Sequence, residues 1–190
     1  LVLRDLDILA PMAERGLAQV CVSVTTLDRT LANKLEPRAA TPGRRIETIG
    51  TLAAAGVPTG VMAAPMIPAL NDHEMEKILQ TARQAGAQIA SYILLRLPLE
   101  IKDLFVEWLE VHAPDKARHV MSLIRDTRNG KAYEAEFGSR MRGTGEYAAL
   151  LKKRFGIASR RLGYDAIERF ELDTSQFRPP LARDGQLDLF

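Results

Sequence analysis

Cysteine is nearly missing from this chain. One thiol, Cys21, stands among 190 residues, which excludes an internal disulfide framework and fits a reducing cytoplasm. Histidine is scarce as well, and His73, His112 and His119 make no classical zinc spacing with Cys21. No apolar run reaches the roughly 18 residues that a membrane span needs, so no membrane partner is expected. The pattern of basic start, apolar stretch and small-residue cleavage site is also missing, so no signal peptide is read. The chain lacks an initial Met: Leu1-Val2-Leu3 reads as a strand end, and the chain is expected to be a fragment. What remains is ordinary for a globular protein, with 46% apolar residues, enough to build a core.

That core organises around one stretch, 20–68. Val20 to Thr26 is rich in β-branched residues, which suit a pleated surface. The run is nearly all apolar or small, as expected of a parallel strand covered on both faces, with Cys21 as a buried small hydrophobe. A helical run closing at Gly56 and a second strand, 57–64, complete a βαβ unit. Its crossover is expected to be right-handed, so the C-terminal strand ends face one way and gather the ligand-bearing loops. Those ends carry Ser23, Thr25, Thr26 and Asp28, then Pro65, Asn71 and Asp72.

The flanking pattern repeats the theme. Asp5 and Asp7 open a helix through Ile8, Leu9 and Met12 that Gly16 ends. Asp28 caps a short helix, broken at Glu36-Pro37. Thr41 is the N-cap and Pro42 the first residue of the next helix. Asn71 or Asp72 caps a helix bearing Met75, Ile78, Leu79 and Ala82 at helical spacing, ended by Gly86. A third strand over 88–96 and a helix with Ile101, Phe105, Trp108 and Leu109 follow. Residues 1–113 thus read as alternating α and β with parallel strands. Beyond them come helices over 115–127 and 147–162, with a glycine-rich basic loop between. Residues 114–177 form a basic helical extension, and 178–190 a tail expected to be disordered up to its last five residues. From Lys116 to Arg161, twelve bases face four acids, a balance of +8 that leaves −6 for the rest of a chain whose total is +2. Such asymmetry points to an anionic partner for the second half.

Ser23-Val24-Thr25, Leu35-Glu36-Pro37-Arg38, Pro42, Arg45-Ile46-Glu47, Ala55-Gly56 and Ala63-Ala64-Pro65, in this order and spacing, resemble a known family. The chain looks like the back half of the radical S-adenosylmethionine (SAM) core, closest to spore photoproduct lyase-like proteins, also described as DNA repair photolyase-like. The resemblance covers 1–113 well and extends through the basic region. It implies an α/β fold: the C-terminal strands of a partial (β/α)6 TIM-like barrel with a basic helical extension. It also implies a [4Fe–4S] cluster on a Cys-x3-Cys-x2-Cys loop, with SAM on the remaining iron and a 5′-deoxyadenosyl radical that takes hydrogen from substrate. The departure is clear, since thiolates are the cluster's ligands and Cys21 is the one cysteine. The cluster ligands are therefore expected before residue 1, and this chain alone is expected to be inactive.

The same resemblance implies SAM-binding roles. Ser23 falls where the family offers a hydroxyl to SAM; the rival role is an ordinary strand serine bonding backbone. Arg38 either pairs with the SAM carboxylate or is a solvated helix-end arginine. Ala64 and Pro65 fall where the family's backbone meets adenine, or simply pack. Arg96 either meets substrate or SAM, or pairs with Glu100. His73 stands on the ligand face, where a lone histidine is more often a surface residue than a catalytic one.

Two further features concern partners. The terminal Gln186-Leu187-Asp188-Leu189-Phe190 looks like the pentapeptide by which bacterial DNA polymerases and repair proteins dock on the replication sliding clamp. Gln186, Leu187, Leu189 and Phe190 are then the anchors, as in other short-motif recognition. Arg140, Arg142, Lys152 and Lys153 suit phosphate tracking along DNA, or else form a solvated basic surface that offsets the acidic part. Three functional readings remain open. The first is the C-terminal part of a radical SAM enzyme acting on DNA or a nucleic-acid-linked substrate. The second is a non-catalytic DNA-associated module held by its tail. The third is an unrelated TIM-barrel metabolic enzyme using Asn71-Asp72-His73 and Arg96.

Overall fold

A computed structural model describes residues 1–133, 135–136, 140–165 and 171–178. A short 3-10 turn, Val2–Asp5, replaces the expected strand end, and helix α1 follows over Leu6–Glu14. Strand β1 is Val20–Val24, helix α2 Arg29–Leu35, helix α3 Pro42–Ala54 and strand β2 Thr59–Met66. Helix α4 spans Met75–Gln84 and strand β3 Ile89–Leu94. Helices α5 (Ile101–His112), α6 (Pro114–Asp126) and α7 (Gly145–Arg161) follow, and a 3-10 turn spans Thr174–Gln176.

Local chemistry sets several of these boundaries. The Asp28 carboxylate accepts from the Thr30 and Leu31 N–H groups and starts α2. Thr41 caps α3 through the Arg44 N–H, with Pro42 as its first residue. The cap expected from Asn71 or Asp72 does not form. A 3-10 turn, Asp72–Glu74, precedes α4, and the Asn71 side chain is used elsewhere.

The expected partial (β/α)6 TIM-like barrel is not found. Among the described residues three parallel strands, in the order β1-β2-β3, make one open sheet. Three strands with ordinary twist span too small an arc to curl into a barrel. What survives of the expectation is an α/β chain with parallel pairing.

The register defines two unequal faces. Val22, Val61 and Ala90 align across the strands, as do Val24, Ala63 and Tyr92. Val24, Val61, Ala63 and Tyr92 pack with Ile49 of α3 and with Ile78, Leu79 and Ala82 of α4 in the main core. Each fully buried aliphatic side chain there contributes roughly 1.5–3 kcal/mol. Leu151, Phe155 and Ala158 of α7 join that same core, and Phe155 packs 4.9 Å from the Tyr92 ring. The basic helical extension is thus built onto the helical side of the sheet. The alternate positions point to the opposite face, where Cys21 is exposed and Ser23, Met62, Ser91 and Ile93 are only half-buried. Coverage of both faces and burial of Cys21, read from the run's apolar character, are corrected by this: both crossover helices lie on one side.

Asn71 ties the strand ends together. It is 0% exposed. Its amide donates to the Thr25 carbonyl at 2.7 Å and to the Pro65 carbonyl at 3.0 Å, and its oxygen accepts the Ile67 N–H at 2.6 Å. Asn71→Ala leaves two buried backbone groups and one half-buried one unmatched and should destabilise the fold by about 3 kcal/mol. Urea unfolding followed by circular dichroism measures this, and a loss under about 1 kcal/mol would contradict the assignment.

Candidate functional site

A polar cluster occupies the C-terminal ends of β1 and β2. Arg45, from the first turns of α3, donates to the Ser23 carbonyl at 2.8 Å and to its hydroxyl at 3.1 Å. The same guanidinium pairs with Glu36 at 3.1 Å. Thr25 Oγ1 lies 2.9 Å from the Glu36 carboxylate and 3.1 Å from the Ala64 carbonyl, so its one hydrogen serves one acceptor at a time. Ser23, Thr25, Glu36, Arg45 and the Ala64 backbone are therefore one network. The adjoining loop is held by Glu74, which accepts from the Thr26 hydroxyl at 2.5 Å and from the Leu27 N–H at 2.6 Å.

The residues read from sequence divide into groups. Ser23, Ala64 and Pro65 meet at the strand ends, and the Ala64-Pro65 peptide is cis. Arg38 lies exposed in the turn before α3. The cation on Ser23 is Arg45, which the sequence reading quoted in the resemblance without giving it a role. Its signal was its place one turn into α3, where a long side chain reaches back toward the strand end. Arg96 stands apart, donating to the Tyr133 hydroxyl at 3.2 Å with its guanidinium 5.9 Å from that ring. Arg142 and Lys152 line a common cleft, while Lys153 is exposed and does not line it. The backbone of Arg140 bonds to Glu136. Gln186, Leu187, Leu189 and Phe190 lie outside the described residues.

The loop Asn71-Asp72-His73 divides between structural bonds and an exposed ring. Asn71 is spent on backbone, and Asp72 accepts from the Tyr147 hydroxyl at 2.7 Å and from Arg154 at 3.4 Å. His73 is exposed at the rim of a cleft of about 360 Å³ lined also by Lys34, Trp108 and Lys116. Burial, with the Asp72 hydrogen bond, pushes the Tyr147 hydroxyl up to about 12, so it acts as a donor. Among the described residues no cluster of three His, Cys, Asp or Glu side chains is placed to hold a metal ion. No helix among them is long and apolar enough to cross a membrane.

Fold and site together define an α/β protein with an open parallel sheet and a charged, hydroxyl-rich network at its strand ends. Comparison with known proteins finds relatives that are themselves uncharacterized. An uncharacterized protein of Mycobacterium tuberculosis is 30% identical over 124 residues, 64% of this chain and 36% of its own. An uncharacterized protein of Mycobacterium bovis shows the same figures. One from Acidianus two-tailed virus is 37% identical over 68 residues, 36% of this chain and 22% of its own. The chain spans about a third of the length of the mycobacterial relatives it matches. No family model matches, and no solved structure does.

The electrostatic link between α4 and α7 gives a pH test. Arg154 grips Glu76 with two bonds, at 2.8 and 2.7 Å. That hydrogen-bonded guanidinium holds the Glu76 carboxyl below its ordinary 4.5. A depressed folded pKa means that the pair's contribution is present above the unfolded value and is lost as pH falls through the folded one. Glu76→Gln should therefore be less stable than the parent at neutral pH, with the gap closing as the pH drops below 4.5. Urea midpoints across pH measure it, and a constant gap would contradict the link.

Proposed function

We propose that this chain is the C-terminal part of a cytoplasmic radical SAM enzyme, similar to spore photoproduct lyase-like proteins, acting on nucleic acid. One observation carries the reading: the Ser23, Thr25, Glu36 and Arg45 network stands at the strand ends beside a half-open sheet face. SAM offers a carboxylate, an ammonium group, ribose hydroxyls and adenine. The network holds hydroxyls and a carboxylate for the ribose and ammonium, and a guanidinium for the carboxylate. The crevice between α2 and α3 is only about 10 Å³, room for one water, so a nucleoside would lie along the open face past Ser23, Met62 and Ala64.

The residues present fit SAM and do not fit the iron–sulfur cluster. One cysteine cannot supply three thiolates, so on this reading the cluster ligands would have to come from outside this chain. SAM on such a cluster would supply the radical chemistry. This chain would orient SAM and bind the nucleic acid.

The test is anaerobic reconstitution of the intact gene product with iron and sulfide. Dithionite should then yield 5′-deoxyadenosine from SAM, and Ser23→Ala should raise the KM for SAM severalfold by removing one hydrogen bond. A product that binds no iron, or leaves SAM intact, overturns the reading.

A second reading follows from the tail itself. Gln186-Leu187-Asp188-Leu189-Phe190 has the order of apolar anchors that suits a sliding-clamp groove. A peptide of the tail should bind a bacterial clamp and lose about tenfold or more in affinity as Phe190→Ala. Equal affinities would remove clamp docking.

A further inference from the structure

A cleft of about 230 Å³ opens where the chain enters α7, lined by Tyr92, Arg142, Gly143, Thr144 and Lys152 among others. Its wall is rich in donors. Helix α7 is 17 residues long, and its N-cap Thr144 makes no side-chain bond to it. The Thr144 hydroxyl is 3.0 Å from Asn129 Oδ1 instead. The first turn of α7 therefore faces outward with no side-chain acceptor from its cap, at the end where the helix dipole is positive.

The loop that delivers this end is fixed tightly. Gly143 has φ +73, and a Cβ there would lie 2.9 Å from Leu94 Cδ1 and 3.0 Å from the Thr127 oxygen. Gly145 has φ +81, and its Cβ would lie 3.0 Å from the Asp126 oxygen. Both positions demand glycine, for conformation and for space. Leu94 and Thr144 anchor the loop through backbone bonds to Met141 and Thr127, at 2.9 and 3.0 Å.

Charge converges on the same place. The Arg142 guanidinium is 5.0 Å from the centroid of the Tyr92 ring. Lys152 comes from the second turn of α7, and Glu146, the acid of the first turn, instead lines the neighbouring cleft with Asp126 and Tyr147.

Tyr92 supplies the independent observation. It is 1% exposed and lines the cleft, and its buried hydroxyl meets no acceptor for its proton, the neighbouring Arg142 guanidinium being a donor only. Burial raises the phenol's pKa and Arg142 draws it back, so the hydroxyl remains a donor. A buried hydroxyl whose proton has no acceptor is costly and calls for one. Phenol, guanidinium, ammonium and helix N–H groups share one complement: a multi-oxygen anion.

We infer that Tyr92, Arg142, Lys152 and the N-terminus of α7 form a binding site for a phosphoryl group. The site deepens the proposed function, on which it rests only for the carrier of that group, a nucleic acid strand. Its chemistry does not depend on SAM.

The test uses the full chain. Its melting temperature is measured in sodium phosphate and in sodium chloride of equal ionic strength. Phosphate should raise it for the parent and for the surface control Lys77→Gln. Tyr92→Phe should melt higher than the parent in chloride, since the unmatched hydroxyl is gone, yet lose most of the phosphate response. Lys152→Gln, which leaves the core intact, should also blunt that response. A full phosphate response in both variants overturns the site.

Fluorescence anisotropy with a 5′-phosphorylated single strand and its 5′-hydroxyl twin then identifies the source. Tighter binding of the phosphorylated strand, weakened about tenfold in Tyr92→Phe, assigns a terminal monoester. Equal binding of both strands, each weakened by Tyr92→Phe, assigns the backbone diester. A phosphate response without strand binding leaves the site standing and removes nucleic acid as its carrier.

Discussion

The Asn71 amide is the constraint on which the strand ends depend. Its two N–H groups hold the carbonyls just past β1 and within β2, and its oxygen holds the turn that follows. A parallel sheet has no hairpin to lock neighbouring strand ends together, because each strand returns by a crossover. A buried amide can do it, since it offers two donors and an acceptor in one rigid plane. Thr25, Ala64 and Pro65 thereby keep a fixed relation, and the network of Ser23, Glu36 and Arg45 is assembled against it.

The sheet is unusual in its coverage. Parallel sheets are ordinarily covered on both faces, and here α3 and α4 lie on one. The other face shows Cys21, Ser23, Met62 and Ser91, small or weakly polar side chains that leave room above the strands. Gly60 keeps that surface low: a Cβ there would come 2.8 Å from the Cys21 sulfur. The polar network stands at the edge of this face, which is where an incoming ligand could meet strand backbone and side chains together.

The basic half is joined to the α/β part by packing and by charge. Phe155 rests on Tyr92, while Arg154 binds Glu76 and the Asp72 backbone. That attachment places the start of α7 beside the end of β3. A cation-rich loop and a buried strand tyrosine so come to share one cleft, although some fifty residues separate them.

Much of the fold was legible in the sequence. The three strands, the Asp28 and Thr41 caps and the helix ends at Gly56 and Gly86 follow from local backbone preferences, which neighbours in sequence determine. Ser23, Ala64 and Pro65 were legible as strand-end residues for the same reason. The extent of the sheet was not, because closure depends on how many strands pair, and no single strand encodes that number. The partner of Ser23 was also hidden: Arg38 and Arg45 are equal as residue types, and only the path of α3 turns Arg45 toward the strand. Sequence by itself determined an α/β chain with parallel strands and a basic second half. Tertiary structure decided which face stays open, which arginine reaches the serine and which buried hydroxyl lacks an acceptor, because each depends on contacts between segments far apart along the chain.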